Sequence, residues 1–243
     1  MTTFLLVPGL FLGAWVWEAV AVDLEARGHR AVPVTLPGLA ERAGADAGRI
    51  GLAEHTAAVV DLLDEYGPGV VLVAHSYGSF PATAAADQRP DRIARVVYVD
   101  TGIPEHGESM ATSLAGAGIA AAGEDGLIAV PGQLPPGVPE SERERYYRLA
   151  TPHPAATATD PVRLTDAWNT LPTTGIFCVD SGLSRDVARS LHATGAPRFA
   201  KLAEPGVTYF ELPTGHFPML TTPRELTDAL VRAAAGEGAG LYD

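Results

Sequence analysis

The chain has 243 residues, which is within the single-domain range for an α/β protein and enough to bury a large core. Hydrophobic residues make up 47% and charged residues 19%, as in a globular protein rather than a disordered one. The formal net charge of −12 excludes nucleic acid and the membrane surface as expected partners, because phosphate groups repel an acidic protein. A small-molecule substrate is the expected partner, and nothing in the sequence indicates an oligomeric state.

The amino-terminal segment and the single cysteine limit the location and the chemistry. Residues 1–9 carry no basic stretch and break at Pro8-Gly9, which is typical of a strand entering a loop rather than of a signal peptide. No run approaches 18 apolar residues, so we predict no membrane span and expect a cytoplasmic location. Cys178 lacks a partner cysteine and lies in an apolar run, which predicts a buried, unreactive thiol. We expect neither a cofactor nor a metal.

Short apolar runs alternate with helical patterns along most of the chain. The runs are continuously hydrophobic, which predicts strands covered on both faces, at 4–7, 29–36, 70–74, 94–100, 176–179 and 207–212. Helices are predicted at 17–27, 52–66, 80–89 and 224–235. This order predicts an α/β fold with a mostly parallel central sheet, right-handed crossovers and helices on both faces.

The alternation is interrupted once, over residues 102–172. This segment shows no strand-like run and contains Gly/Ala-rich, Pro-rich and charged helical stretches, the last over residues 140–149. It is too long for a plain loop, so we predict a helical lid over the site, with a surface excursion without a role as the alternative. The predicted organisation is one domain over 1–243, with a core at about 1–101 and 173–235, the lid at about 102–172 and a frayed tail after 235.

The most informative motif runs from Val70 to Phe80 and includes Ala74-His75-Ser76-Tyr77-Gly78. A buried strand here leads into a serine flanked by small residues and then directly into a helix. The sharp turn needs small neighbours, lifts the Ser76 hydroxyl above the sheet and places it at a helix amino terminus. We therefore predict that Ser76 is a nucleophile; the alternative is a serine that caps a helix.

A nucleophilic serine requires a base, and His216 is the best candidate. It follows the last predicted strand and precedes the last helix, in Thr214-Gly215-His216-Phe217-Pro218. Loops at the carboxyl ends of parallel strands are where such sheets assemble their active sites. We expect the other histidines to be solvated or packed.

Two aspartates could orient the base, because the acid follows the serine and precedes the histidine in chain order. Asp100 ends the fourth predicted strand and Asp180 ends the fifth. A carboxylate in either place could hold the imidazole and stabilise its protonated form. We favour Asp100 and keep Asp180 as the main alternative, with Asp186, Glu204 or the lack of any acid as the remaining alternatives.

An oxyanion hole would use backbone donors near the serine. The amide of Tyr77, directly after the nucleophile, is one predicted donor. The amide of Leu10, in the loop after the first strand, is the other, because Gly9 allows the backbone to approach the substrate closely.

These motifs resemble the α/β-hydrolase superfamily, and within it the branch of small esterases, plant methylesterases and hydroxynitrile lyases. The resemblance spans nearly the whole chain and is carried by the segments 7–17, 28–29, 74–78, 97–100 and 215–219. It implies the α/β-hydrolase fold, with Ser76 as nucleophile, His216 as base and the amides of Leu10 and Tyr77 as oxyanion donors.

The chain departs from the branch at three places. Pro8-Gly9 stands where the family usually has His-Gly, and the branch's usual position for the acid, beyond the fifth strand, reads Ser181-Gly182-Leu183-Ser184. The second departure adds weight to Asp100. The lysine that follows the catalytic histidine in hydroxynitrile lyases is replaced by Phe217, which argues against cyanohydrin cleavage.

Three functions remain open at this point. The first is hydrolysis of an ester, lactone or thioester of a small, largely apolar substrate through an acyl-enzyme on Ser76. The second is a non-hydrolytic reaction (lyase, cyclase, epimerase or cofactor-free oxygenase) in small-molecule biosynthesis, with His216 as a base on carbon. The third is ligand binding without turnover.

Overall fold

The computed structural model describes residues 1–113, 121–134 and 137–243. Its strands are, in chain order, β1 (Thr3–Val7), β2 (Arg30–Pro33), β3 (Val70–His75), β4 (Ile93–Val99), β5 (Leu127–Ile128), β6 (His153–Pro154), β7 (Thr173–Cys178) and β8 (Val207–Leu212). Across the described residues, the main sheet has six strands in the order β2-β1-β3-β4-β7-β8, and every neighbouring pair is parallel. The short strands β5 and β6 form a separate antiparallel pair.

Helices connect these strands. They are α1 (Glu18–Ala26), α2 (Leu52–Tyr66), α3 (Ser79–Gln88), α4 (Met110–Ser113), α5 (Glu140–Leu149), α6 (Ala155–Thr159), α7 (Arg185–His192), α8 (Pro218–Thr221) and α9 (Pro223–Ala234). Within the described ranges, no helix is both long and apolar enough to cross a bilayer. The predicted α/β-hydrolase arrangement of a parallel sheet between helices is therefore confirmed.

Alternate side chains of the central strands pack in opposite directions. Phe4 and Leu6 of β1 lie in a cluster with residues of α1 and α9, whereas Leu5 and Val7 lie in a second cluster with residues of α2 and α3. Every residue of β3 is buried. Covering both faces explains why the central strands are continuously apolar rather than alternating.

The observed strands differ from the predicted ones mainly at their ends. β7 begins at Thr173, three residues before the predicted start at Ile176. Thr173 and Thr174 are polar, but both are buried because their hydroxyls are hydrogen-bonded, to the Leu171 carbonyl (3.0 Å) and to Thr208 (2.9 Å). Paired polar groups can enter a buried strand without a large desolvation cost, and hydrophobicity alone does not predict them.

The structure adds one helix to those predicted and corrects the expectation of a frayed tail. Helix α7 was not predicted, although Ser184 caps it by accepting a hydrogen bond from Val187 N (3.2 Å). Residues 236–243 do not fray as a free tail. Tyr209 N of β8 donates to Ala239 O (2.8 Å), and Leu241 is buried against the same edge of the core.

Residues 102–172 leave the main sheet after β4 and return to it at β7, as predicted. They contain α4, α5, α6 and the β5–β6 pair, so the expectation of no strand in this segment was wrong. Two stretches of the predicted lid lie partly outside the described residues. These are the Gly/Ala-rich stretch, at residues 114–120, and the Pro-rich stretch, at residues 135–136.

Candidate active site

Ser76 lies in a sharp turn between β3 and α3. The strand ends at His75, a single turn spans Ser76–Gly78, and α3 begins at Ser79. Ser76 has a φ of +52°, a left-handed conformation that costs a non-glycine residue about 1–3 kcal/mol. The turn directs the Ser76 hydroxyl toward a cavity at the carboxyl end of the sheet.

Two glycines allow this turn to pack against the loop after β1. A Cβ added at Gly78 would lie 2.6 Å from the Pro8 carbonyl oxygen, and one added at Gly9 would lie 3.0 Å from Ser76 Cβ. Both distances are shorter than ordinary van der Waals contact, so any side chain at either position would push the loop and the serine apart.

His216 reaches Ser76 from the loop between β8 and α8. Its Nε2 lies 3.0 Å from Ser76 Oγ. The backbone of this loop is held by His75, whose Nε2–H donates to the His216 carbonyl oxygen (2.8 Å). Burial, together with the neighbouring His216, lowers the pKa of His75 below its ordinary value, so its ring stays neutral.

Asp100 is the carboxylate that contacts His216. Its Oδ2 accepts from His216 Nδ1 at 2.6 Å, and its Oδ1 accepts from Cys178 N (3.0 Å) and from the Ser181 hydroxyl (2.8 Å). Burial of this side chain, which is 1% exposed, favours the protonated form, but these three hydrogen bonds and the charge of His216 outweigh it and hold the pKa of Asp100 below its usual value. A single ionised carboxylate therefore orients the imidazole.

The alternative acid lies elsewhere. Asp180 is exposed beside the cavity, and its backbone amide donates to Thr214 O (3.1 Å). The structure thus brings together Ser76, His216 and Asp100, and leaves Asp180 facing solvent.

The two predicted oxyanion donors flank the serine. Tyr77 follows Ser76 in the turn, and its fully buried side chain donates from its hydroxyl to His55 Nδ1 (2.8 Å). Leu10 follows Gly9 in the loop that packs against the serine turn. Among the described residues, the Leu10 N–H makes no hydrogen bond to a backbone carbonyl.

The cavity above Ser76 has a volume of about 1250 Å³. Its apolar walls come from α3, from the segment 102–172 and from the loops around α7. These apolar residues include Phe80, Ile103, Met110, Leu183 and Phe199. A second cavity of about 510 Å³ lies next to it and shares residues 101–104 as a wall. Within the described ranges, no group of three or more His, Cys, Asp or Glu side chains is arranged to hold a metal ion.

Several residues that support the site were not identified from the sequence. Cys178 and Ser181 fix Asp100, and His75 fixes the loop of His216. These contacts join residues about 80 to 140 positions apart, so no local pattern signals them.

Comparisons with known proteins agree with this architecture. A carbendazim-hydrolysing esterase from Nocardioides is 29% identical over an alignment of 248 positions, which covers 95% of this chain and 98% of that protein. Methylesterase 4 from Arabidopsis thaliana is 36% identical over 109 residues, or 42% of this chain and 40% of that one. The crystal structure of another Arabidopsis methylesterase shares the fold, with a TM-score of 0.77 at 20% identity over 97% of this chain and 99% of that one. The model of the alpha/beta hydrolase family matches residues 4–229, which is most of the chain. With the serine turn, the parallel sheet and this match in agreement, the chain belongs to the alpha/beta hydrolase family, as its motifs predicted.

Proposed function

We propose that this protein hydrolyses a carboxylic ester, lactone or thioester with a largely apolar acyl or alcohol group, through an acyl-enzyme on Ser76. The observation that carries the proposal is the hydrogen-bonded chain from Ser76 Oγ to His216 Nε2 (3.0 Å) and from His216 Nδ1 to Asp100 (2.6 Å). A nucleophile, a base and an acid that orients the base are the groups that acyl transfer requires.

The relatives support the same class of reaction. They include an esterase named for hydrolysing carbendazim and several plant methylesterases. The prediction of a carboxylic ester hydrolase is confirmed at this level, and methyl esters belong among the first substrates to test.

In the first half-reaction, His216 Nε2 takes the hydroxyl proton as Ser76 Oγ attacks the carbonyl carbon. Asp100 keeps the proton of His216 on Nδ1, so that Nε2 is free to accept, and then stabilises the imidazolium that forms. The negative charge on the carbonyl oxygen is stabilised by the amides of Leu10 and Tyr77. The amino terminus of α3 adds a favourable partial charge.

Collapse of the tetrahedral intermediate breaks the bond to the leaving group, which takes the proton from His216 Nε2. Water then attacks the acyl-enzyme, His216 removes its proton, and the second intermediate releases the carboxylic acid and returns the proton to Ser76. These reaction steps require no cofactor.

Charged side chains such as Arg198 line part of the cavity, and the apolar remainder of its wall favours a substrate with a largely apolar group. The side chains of Phe80, Ile103 and Met110 line it together with the reacting groups. Its volume of about 1250 Å³ exceeds the roughly 300–1000 Å³ of ordinary ligand pockets, so a substrate larger than a simple short-chain ester would fit. Ile103 and Met110 belong to the segment 102–172, which we propose acts as the lid.

The first test is labelling with a fluorophosphonate, measured by intact mass, followed by hydrolysis of p-nitrophenyl butyrate and of methyl esters. We expect one adduct on the native protein and none on Ser76→Ala. Ser79→Ala is the matched control, because Ser79 is a buried serine three residues away whose hydroxyl lies beside Thr101 (3.3 Å) and not beside His216.

A native protein that stays unmodified and inactive would overturn the proposal. The non-hydrolytic reaction and ligand binding without turnover would then become the leading functions. An adduct that persists in Ser76→Ala would show that another residue is the nucleophile.

A further inference from the structure

The loop that carries Leu10 is held by the segment 102–172. Phe11, the next residue, has a φ of +68°, which a bulky side chain rarely adopts. Both of its backbone groups are bonded to this segment: Phe11 N donates to His153 Nδ1 (3.2 Å), and Phe11 O accepts from Thr151 N (3.1 Å). The segment therefore fixes the backbone of the loop as well as lining the cavity.

The hydrogen bonds of His153 define its protonation. The hydroxyl of Thr157 donates to Pro154 O (2.7 Å), so its oxygen accepts from His153 Nε2–H (2.8 Å). The other nitrogen of His153, Nδ1, is then unprotonated and able to accept the Phe11 amide. His153 is fully buried, and burial followed by the neighbouring His55 keeps its pKa well below the ordinary value.

His153 also contacts the residue after the nucleophile. Its ring packs edge-on against the ring of Tyr77, with centroids 4.8 Å apart, and Tyr77 is in turn bonded to His55. His55 Nε2–H donates to Pro37 O (2.8 Å), so its Nδ1 accepts the Tyr77 hydroxyl. The two backbone segments that flank Ser76 thus meet at one buried group of neutral histidines.

We propose that His153 is a positioning residue for the oxyanion hole, holding the Leu10–Phe11 peptide so that the Leu10 N–H faces the substrate carbonyl. The proposal rests on the proposed function, because it assigns a supporting role within that same site. A hydrogen bond to the Phe11 N–H fixes the peptide plane that follows Leu10. The Leu10 N–H lies in the preceding plane, which is joined to the fixed one at the Cα of Leu10, so a shift of the fixed plane also displaces the Leu10 N–H. A displacement of about 1 Å at such a position can cost about 100-fold in rate.

Three variants test the role. His153→Leu removes the acceptor for Phe11 N–H but keeps an apolar side chain in the buried site. His153→Asn retains an acceptor, since its Oδ1 can take the place of Nδ1. Thr159→Val is the matched control, because Thr159 lies on the same helix α6, is exposed, and bonds through its hydroxyl to the Ala155 carbonyl rather than to His153. Thermal unfolding of each variant verifies that it is folded.

The readout is turnover of p-nitrophenyl butyrate together with inhibition by a matched pair of ketones. Hexyl trifluoromethyl ketone forms a tetrahedral adduct that uses the oxyanion hole, and hexyl methyl ketone measures ground-state binding. In His153→Leu we expect kcat and the affinity for the trifluoromethyl ketone to fall together by about 10- to 100-fold, with the methyl ketone affinity unchanged. His153→Asn and Thr159→Val should stay within about threefold of the native protein.

Two results with His153→Leu would overturn the inference while leaving the proposed function intact. One is a folded His153→Leu variant with native kcat. The other is an equal loss of affinity for both ketones, which would indicate a role in packing the cavity. Should His153→Leu fail to fold, a folded His153→Asn variant with a large loss of kcat would overturn it. A native protein that forms no adduct at all would overturn the proposed function and this role with it.

Discussion

Replacing Asp100 with asparagine tests the geometry of the site most directly. Oδ1 of Asp100 accepts from Cys178 N and from Ser181, and the Cys178 donor is a backbone amide that cannot reverse. The oxygen of an asparagine must therefore stay on that side, which turns its NH₂ group toward His216. An NH₂ donor forces His216 Nδ1 to accept and places the imidazole proton on Nε2. His216 can then no longer take the proton from Ser76.

The expected cost follows from this change of tautomer. In a serine enzyme with the same arrangement, an aspartate-to-asparagine change that leaves the geometry intact lowers kcat by about 10⁴-fold, equivalent to about 5.4 kcal/mol in the barrier. We expect a loss of that order for Asp100→Asn, with little change in fold because the side chains are isosteric.

The assay is the rate of fluorophosphonate labelling together with kcat for p-nitrophenyl butyrate. Asp180→Asn is the matched control and should stay within about twofold, because Asp180 is exposed and does not contact His216. Retention of more than a tenth of the activity by Asp100→Asn, or an equal loss from Asp180→Asn, would refute the assignment of the acid.

Three further predictions follow from packing and burial. Gly78→Ala should lower stability by about 1–3 kcal/mol and kcat by about 100-fold, because the added Cβ would lie 2.6 Å from the Pro8 carbonyl and displace the serine turn. Stability in urea should fall as the pH drops from 6.5 to 4. Burial lowers the pKa of His55 to about 4, so between pH 6.5 and 4 this side chain is protonated in the unfolded chain but mostly neutral in the folded protein. This difference lowers the free energy of unfolding by about 3 kcal/mol. Cys178 should resist iodoacetamide until the protein unfolds, because burial, followed by the charge of Asp100, raises the pKa of its fully buried thiol.

Each of these three predictions can be contradicted by a specific result. Gly44→Ala should be neutral, since a Cβ there meets nothing within 4 Å, and equal effects at Gly44 and Gly78 would refute the packing argument. For the pH effect, His55→Gln should flatten the slope by about one proton, and an unchanged slope would assign the effect to other groups. Alkylation of the native thiol at the rate of an exposed cysteine would show that the β7 end opens in solution.

Helices and strands with a clear hydrophobic pattern could be predicted from the sequence. The predicted helix at 52–66 and the predicted strand at 207–212 match α2 and β8 at both ends, because hydrophobic spacing and flanking turn residues are local signals. The secondary structure of the segment 102–172 was harder to predict, and its β5–β6 pair was missed. Strands of two residues carry no periodicity, and they form because distant backbone groups become paired.

Some residues of the site could likewise be predicted from the sequence, and others could not. The serine turn and the histidine loop have local signatures in small residues and strand ends, so Ser76 and His216 could be proposed from the sequence alone. The choice between Asp100 and Asp180 could not be made so firmly, because both follow strands that are neighbours in the sheet. Tertiary structure separates them, since the Cys178 amide and Ser181 hold Asp100 beneath His216 and Asp180 faces solvent.

The sequence by itself determined the strands of the main sheet and their parallel arrangement, the longer helices around them, and the placement of a serine and a histidine at the carboxyl edge, because each depends on residues close together in the chain. Only the tertiary structure decided which carboxylate meets the histidine and which residue of the segment 102–172 supports the loop of Leu10. Those contacts depend on the orientation of single side chains across about 80 to 140 residues of chain, and hydrogen bonds of that range leave no pattern in the sequence.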